Sequence, residues 1–411
     1  MLDQIKHSVI NIGTLGHIDH GKTSLVQALT HQWTDRDSES LKRNMTIRLG
    51  YADTIINECE DSKGNKVYTV NDKYEGCKNA PVPFMRISIL DAPGHETLMA
   101  TAIASANLIN ALLFVIAANE PCPMPQTKEH LMIINLLGIK DVIIVQTKID
   151  IVGEKAAEEN YKQIKEFIKG SIIEDAPIIP VVSTKNINID VLLKKIVEMP
   201  KPKFDENQDP FMYIARSFDV NKPGKKINKL VGGVIGGTLI RGKLNPGDTI
   251  EIRPGIKVSS PNQKREVYKP VITKIVEIDN GSDKLDYALP GGLIGISTLM
   301  DPQFSKADGL VGNVAGFPDK LPPVINSMNI AYHSLNRPDM HDNAFSVNEP
   351  VILSIGTLTV VGYVEKVRKN SIEISIKHPV CAESGQKIAI MRNINKRWKL
   401  TGYATLEKPK D

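Results

Sequence analysis

At 411 residues the chain is too long for a single hydrophobic core and calls for two or three domains. Its 41% hydrophobic and 24% charged residues are ordinary for a soluble globular protein, and a formal net charge of +4 permits a nucleic-acid partner without arguing for one. Four cysteines, Cys59, Cys77, Cys122 and Cys381, are too few and too scattered for a disulfide framework. The absence of a long apolar run or a signal-peptide pattern leads us to expect a cytoplasmic protein with no membrane partner.

The first motif is a complete phosphate loop, G-x-x-x-x-G-K-[ST], over Gly16-His17-Ile18-Asp19-His20-Gly21-Lys22-Thr23. An apolar strand pattern precedes it (residues 9–15), and helical spacing follows over Thr23-Ser24-Leu25-Val26-Gln27-Ala28-Leu29. That context separates a phosphate site from a Gly-rich turn. Glycines let backbone N–H groups face phosphate oxygens, the helix N-terminus adds its dipole, Lys22 adds a charge, and the Thr23 hydroxyl can ligate magnesium. Asp19, His20, Gly21, Lys22, Thr23 and Ser24 are the expected phosphate-side residues.

Up to about residue 205, apolar strands alternate with helical stretches. Residues 84–90, 111–117, 141–145 and 178–182 read as strands, the last three as near-continuous apolar runs suited to parallel strands buried on both faces. Residues 97–110, 126–138, 154–169 and 190–198 carry helical spacing. After a linker at Met199-Pro200-Lys201-Pro202-Lys203 the texture changes to short strands with Gly/Pro turns, and a second such region follows Leu321-Pro322-Pro323. The expected fold is an α/β P-loop domain (1–205) followed by two all-β barrels, domain II (206–322) and domain III (323–411).

Three further motifs fall at strand carboxyl ends, where such sheets bind ligands. Asp91-Ala92-Pro93-Gly94 fits D-x-x-G, with Asp91 reaching magnesium through water and the Gly94 N–H gripping a γ-phosphate. Thr147-Lys148-Ile149-Asp150 offers a carboxylate that can accept from both guanine N1–H and its exocyclic amine, a pairing adenine lacks. Alone, Lys148 and Asp150 would pass for a surface ion pair. Ser183-Thr184-Lys185 can close the base pocket with a hydroxyl and backbone amides. As a set, these motifs predict a site for GTP or GDP with Mg2+.

Together, in this order, they resemble the GTPases of the translation-factor class. That resemblance implies phosphoryl transfer to water. It gives Thr46 the switch-one role of ligating magnesium when GTP is bound, and His95 that of orienting the attacking water, with Ile18 and Met45 as a hydrophobic gate. Within the class, Met45-Thr46-Ile47-Arg48-Leu49-Gly50-Tyr51-Ala52-Asp53 is similar to switch one of the gamma subunit of archaeal and eukaryotic translation initiation factor two. Val231-Gly232-Gly233-Val234-Ile235-Gly236-Gly237-Thr238, Asn245-Pro246-Gly247-Asp248, Ala389-Ile390-Met391-Arg392 and Arg397-Trp398-Lys399-Leu400 resemble its two barrels.

The resemblance implies a subunit that carries initiator methionyl-tRNA to the small ribosomal subunit, in a heterotrimer with alpha and beta subunits. Arg392, Lys396, Arg397 and Lys399 are the basic candidates to face tRNA phosphates; as an alternative they form a solvated charged face. Three departures stand out. The family's zinc knuckle of two C-x-x-C pairs is reduced, in the insertion near 57–80, to Cys59 and Cys77, and two thiolates cannot fill zinc's four positions, so zinc is not expected. The usual Asn of the guanine motif is Thr147, whose hydroxyl can still tie this loop to the phosphate loop. Asn44 stands where archaeal members tend to have glycine and looks more like the eukaryotic form; with Asp19 it is a candidate for a second magnesium. A selenocysteine-type elongation factor and a GTP-holding scaffold without turnover are the alternatives.

Overall fold

The computed structural model describes residues 5–34, 50–92, 100, 103–104, 108–222, 224, 226, 230–258, 266–335, 344–369, 371–394 and 396–407. These divide into two compact units, 1–203 with 291–293, and 204–290 with 294–411.

The first unit is built on a seven-stranded sheet of β1 (Ser8–Gly16), β2 (Gly50–Glu60), β3 (Lys66–Thr69), β4 (Val82–Asp91), β5 (Ala111–Ala117), β6 (Val142–Thr147) and β7 (Ile178–Pro180). The order is β3-β2-β4-β1-β5-β6-β7. From β4 to β7 neighbours run parallel, whereas β2 pairs antiparallel with both β3 and β4. Every residue of β5 and β6 is buried, which is why their sequences carry no alternation. Among the described residues, the helices of this unit include α1 (Lys22–Thr30), α2 (Pro125–Leu137), α3 (Glu154–Ile168) and α4 (Ile189–Glu198). The last two are strongly amphipathic. Ile164 and Ile168 on α3, and Leu192, Leu193 and Ile196 on α4, are buried, while the charged residues stay outside. The predicted elements at 111–117, 126–138, 154–169 and 190–198 match these to within a residue; 97–110 falls mostly outside the described residues.

The β2–β3 hairpin carries the cysteine-bearing insertion. Asp61 closes its turn by accepting from the Lys63 and Asn65 amides at 2.8 Å each. The returning chain then runs beside β2, where the Lys78 amide donates to the Glu60 carbonyl at 2.6 Å. That carries Cys77 to Cys59, and the two form a disulfide with Cα atoms 5.6 Å apart. The expectation of two separate thiolates is corrected: the fold of the insertion brings them into one covalent link.

The second unit holds two closed barrels. β8 (Phe211–Phe218), β9 (Val234–Arg241), β10 (Thr249–Lys257), β11 (Tyr268–Asp279), β13 (Leu293–Thr298) and β14 (Val314–Gly316) close through pairing of β10 with β11, and the short β12 (Lys284–Leu285) lies beside β11. β15 (Val324–Ser334), β16 (Pro350–Ile355), β17 (Leu358–Val367), β18 (Ile372–Cys381), β19 (Lys387–Ile394) and β20 (Arg397–Leu406) form the other. Alternating apolar residues fill each interior, such as Ile250, Ile275 and Ile296 in the first and Leu353, Ile374 and Ile390 in the second. Phe211, Val314, Leu321 and Cys381 form a separate apolar cluster where the barrels meet. There Gly356, with φ of +56°, lets the chain lie against the Tyr213 ring; a Cβ would sit 2.6 Å from its Cε1.

Arg392, one of the basic candidates for RNA contact, is structural. It is 9% exposed, donates to Glu349 through Nε (2.6 Å) and a terminal nitrogen (2.9 Å), and lies 4.2 Å from the Phe345 ring centroid. Strand alternation explains this, since β19 turns that side chain toward the segment leading into β16. Lys396 and Arg397 are exposed at the β19–β20 turn, and Lys399 is half-buried.

Among the described residues no helix is long and apolar enough to cross a membrane. Under denaturing, non-reducing conditions, two thiols (Cys122 and Cys381) should react with a chromogenic disulfide reagent, and four after reduction. Four reactive thiols without reductant would contradict the linked insertion.

Candidate nucleotide-binding site

The phosphate loop joins the end of β1 to α1 at the carboxyl edge of the parallel strands. Gly21 is the residue before the helix and has φ of +88°, a left-handed conformation that side chains disfavour. Gly16 is needed for closeness instead: a Cβ there would lie 2.3 Å from the Val115 carbonyl oxygen. Lys22 folds back over the loop, its ammonium donating to the Gly16 and His17 carbonyls, both at 2.9 Å. Burial lowers its pKa to about 8, against the opposing pull of Asp91 and Asp19.

Asp91, fully buried at the end of β4, accepts three hydroxyls. Thr14 donates to Oδ1 at 2.9 Å, while Thr23 and Thr34 donate to Oδ2 at 2.7 and 2.8 Å. Thr23 and Asp91, two of the expected magnesium-side residues, are thus in direct contact. Thr14 and Thr34 went unselected by motif; in sequence, a lone threonine before or after the loop carries no signal of its own.

His20 is 1% exposed, and its ring is held beneath the loop. Nδ1 lies 3.2 Å from the Val115 carbonyl oxygen and Nε2 lies 3.1 Å from the Glu120 carboxylate. Burial lowers its pKa to about 4 despite that carboxylate. Its side chain therefore backs the loop. The Ile18 amide donates to the Gln126 side chain of α2 at 3.2 Å, a second support that no motif flagged. His130, one turn further along α2, is completely buried, and burial pushes its pKa down to about 3. Asp19 takes φ of +58°, and Ser24 is half-buried on α1.

On the base side, the Thr147 hydroxyl donates to the His20 carbonyl at 2.6 Å. The expected tie between the two loops is present, made by a hydroxyl. Lys148 turns the chain with φ of +59° into a short 3-10 turn over Ile149–Ile151, which presents Asp150. A second 3-10 turn, Ser183–Lys185, follows β7. It brings the Lys185 ammonium to 2.9 Å from Asp150 Oδ2, and this contact holds the Asp150 carboxyl below its usual pKa. Ser183 is half-buried and Thr184 exposed. The candidates Asn44, Thr46, Gly94 and His95, with Met45, lie outside the described residues.

Residues 7–202 match the family Elongation factor Tu GTP binding domain, and residues 326–406 match Initiation factor eIF2 gamma, C terminal. The chain is 49% identical to translation initiation factor 2 subunit gamma of Methanocaldococcus jannaschii over 98% of both chains. It is 45% identical to the Pyrococcus horikoshii subunit of the same name, again over 98% of each. The chain belongs to the translation initiation factor 2 gamma-subunit family. It is a GTPase of that family, with the barrel-bearing fold expected of it. Among solved structures, the selenocysteine-specific elongation factor SelB of Methanococcus maripaludis, in complex with the GTP analogue GPPNHP, is similar in fold. The TM-score is 0.72 at 20% identity, covering 98% of this chain and 80% of that one. A bacterial selenocysteine-specific elongation factor gives the same TM-score at 22% identity, covering 97% and 58%.

For this gamma-subunit relative, Thr147→Ala removes a buried hydrogen bond and leaves the His20 carbonyl without that donor. GDP affinity should fall about tenfold by the usual worth of such a bond, and Thr147→Asn should restore most of it, as titration calorimetry can check. The His130 ring gives a pH signature. Its pKa is about 3 folded against 6.5 for the free side chain, so the unfolded chain takes up the proton first and stability falls as pH drops from 6.5 toward 3. Asp53, whose pKa burial raises to about 6, contributes the opposite slope. Comparing wild type with His130→Leu cancels the Asp53 effect, and the variant should lose less melting temperature between pH 6.5 and 4.

Proposed function

We propose that this chain is the GTP-switched subunit of translation initiation factor 2, binding initiator methionyl-tRNA and delivering it to the small ribosomal subunit alongside alpha and beta subunits. The observation that carries the reading is the Asp91 cluster beside Lys22, in a chain about half identical to named gamma subunits along nearly its whole length. The selenocysteine-type alternative is disfavoured because likeness to those factors is at 20–22% identity and supports the fold alone.

The donor set suits magnesium, a hard cation that prefers oxygen ligands. Thr23 and Thr46 would hold the ion through hydroxyls and Asp91 through metal-bound water; bound there, it would neutralise charge on the β- and γ-phosphates. Asp19 and Asn44 are the candidates for a second ion. The amides of Asp19, His20, Gly21, Lys22, Thr23 and Ser24 cradle phosphates, and the Lys22 ammonium adds the fixed cation. Thr147, Lys148, Asp150, Ser183, Thr184 and Lys185 form the guanine pocket. Gly94 grips the γ-phosphate, and His95 orients the water that attacks it. Segments around Thr46 and Gly94 order with GTP and relax after hydrolysis, so the grip on tRNA follows the nucleotide. We assign this work to three domains, 1–205, 206–322 and 323–411, in a cytoplasmic heterotrimer.

A retention assay tests the reading. Protein loaded with a non-hydrolysable GTP analogue should hold initiator methionyl-tRNA at least tenfold more tightly than the GDP form, and should hold elongator methionyl-tRNA weakly, given the contact differences a switch of this kind supplies. Equal retention of both RNAs, or equal retention in both nucleotide states, would sink the proposal.

A further inference from the structure

We propose that Glu120, which belongs to none of the nucleotide motifs, is a positioning residue for diphosphate binding, acting through the His20 ring; this rests on the phosphate-loop reading of residues 16–23. The part it acts on is the peptide joining His20 to Gly21. The Thr147 hydroxyl donates to the His20 carbonyl at 2.6 Å, which sets the direction of that C=O. A trans peptide is planar with its N–H opposed to its C=O, so the Gly21 amide is aimed away from Thr147. The His20 ring is the other handle on the same residue. Nδ1 lies 3.2 Å from the Val115 carbonyl oxygen, an acceptor, so Nδ1 carries a hydrogen. Nε2 lies 3.1 Å from Glu120 Oε2, a hydrogen bond with one proton between the two atoms. That contact satisfies the remaining polar atom of a ring that is 1% exposed.

Glu120 is itself held from two sides. It lies on the connection between β5 and α2, where the Ala118 amide donates to the Thr147 carbonyl at 2.8 Å. From α3, the buried Asn160 side chain donates to the Glu120 carbonyl at 2.8 Å and accepts from Gln146 of β6 at 2.9 Å. One helical turn on, the Gln163 side chain accepts the Cys122 amide at 2.9 Å. His20 is thus tied to the end of β6 twice, at its carbonyl through Thr147 and at its ring through Glu120. With both ties in place the residue cannot swing, and the Gly21 amide keeps its aim. With the ring released, only the Thr147 hydroxyl resists rotation. The loop then has to be ordered by the incoming phosphate, and affinity falls by the cost of that ordering.

The test follows release of a fluorescent GDP by stopped flow, with GDP stoichiometry and a circular-dichroism melt confirming that each variant folds. Glu120 is 28% exposed, so leucine is the informative replacement: it keeps water from taking the place of the carboxylate. Glu120→Leu should release GDP about tenfold faster at unchanged stoichiometry, the usual effect of leaving a buried polar atom unpartnered. Glu120→Gln should stay within about twofold of wild type, because its amide can donate to Nε2 of a neutral ring. In a His20→Leu background, adding Glu120→Leu should change release by less than about twofold, since the ring it acts through is gone. Unchanged release in Glu120→Leu would overturn the proposal. So would a glutamine variant as fast as the leucine one, or the same tenfold rise in the His20→Leu background. Wild-type GDP affinity in Lys22→Ala would instead overturn the phosphate-loop reading on which this stands.

Discussion

A buried carboxylate that collects hydroxyls organises the nucleotide end of this molecule. Asp91 sits where no water reaches it, and an ionised carboxylate in such a place is costly unless its lone pairs are filled. Thr14 from β1, Thr23 from α1 and Thr34 from the segment after α1 fill them. Three chain segments are thereby referred to one point, and the Lys22 ammonium nearby balances the charge. The hydroxyl of Thr23 is held in place by the same group expected to face a metal's hydration shell, so supporting the fold and shaping the site are one task.

Behind that front layer lies a second one of polar side chains, with the Glu120 carboxylate 3.1 Å from His20 Nε2. His20 and His130 are both pushed toward the uncharged form by burial, and Gln126 supports the Ile18 amide. A wholly apolar layer could not support the polar backbone of the loop, whose amides and carbonyls need partners.

Much of this was legible in the residues. The glycines of the loop, the Asp91 strand end and the apolar runs of β5 and β6 follow from steric and burial constraints that act locally, so a linear reading finds them. Thr147 was also read correctly, because a hydroxyl can reach a neighbouring carbonyl whichever residue the motif usually has. What escaped was non-local. Glu120, Gln126 and Thr34 matter through partners up to about a hundred positions away, and nothing in their neighbours announces it. Arg392 shows the reverse error, since a basic residue in a basic stretch looks solvent-facing until strand alternation turns it inward onto Glu349. Cys59 and Cys77 were counted as remnants of a metal site; only the hairpin's path shows that they meet.

The apolar cluster of Phe211, Val314, Leu321 and Cys381 bears on how the second half is assembled. Its members come from both barrels and from the stretch joining them, so neither barrel completes its own hydrophobic surface. Severed near residue 322, each piece would bare a sticky face at the former seam. The two are better regarded as conjoined halves that mature and melt as one cooperative body than as beads on a string.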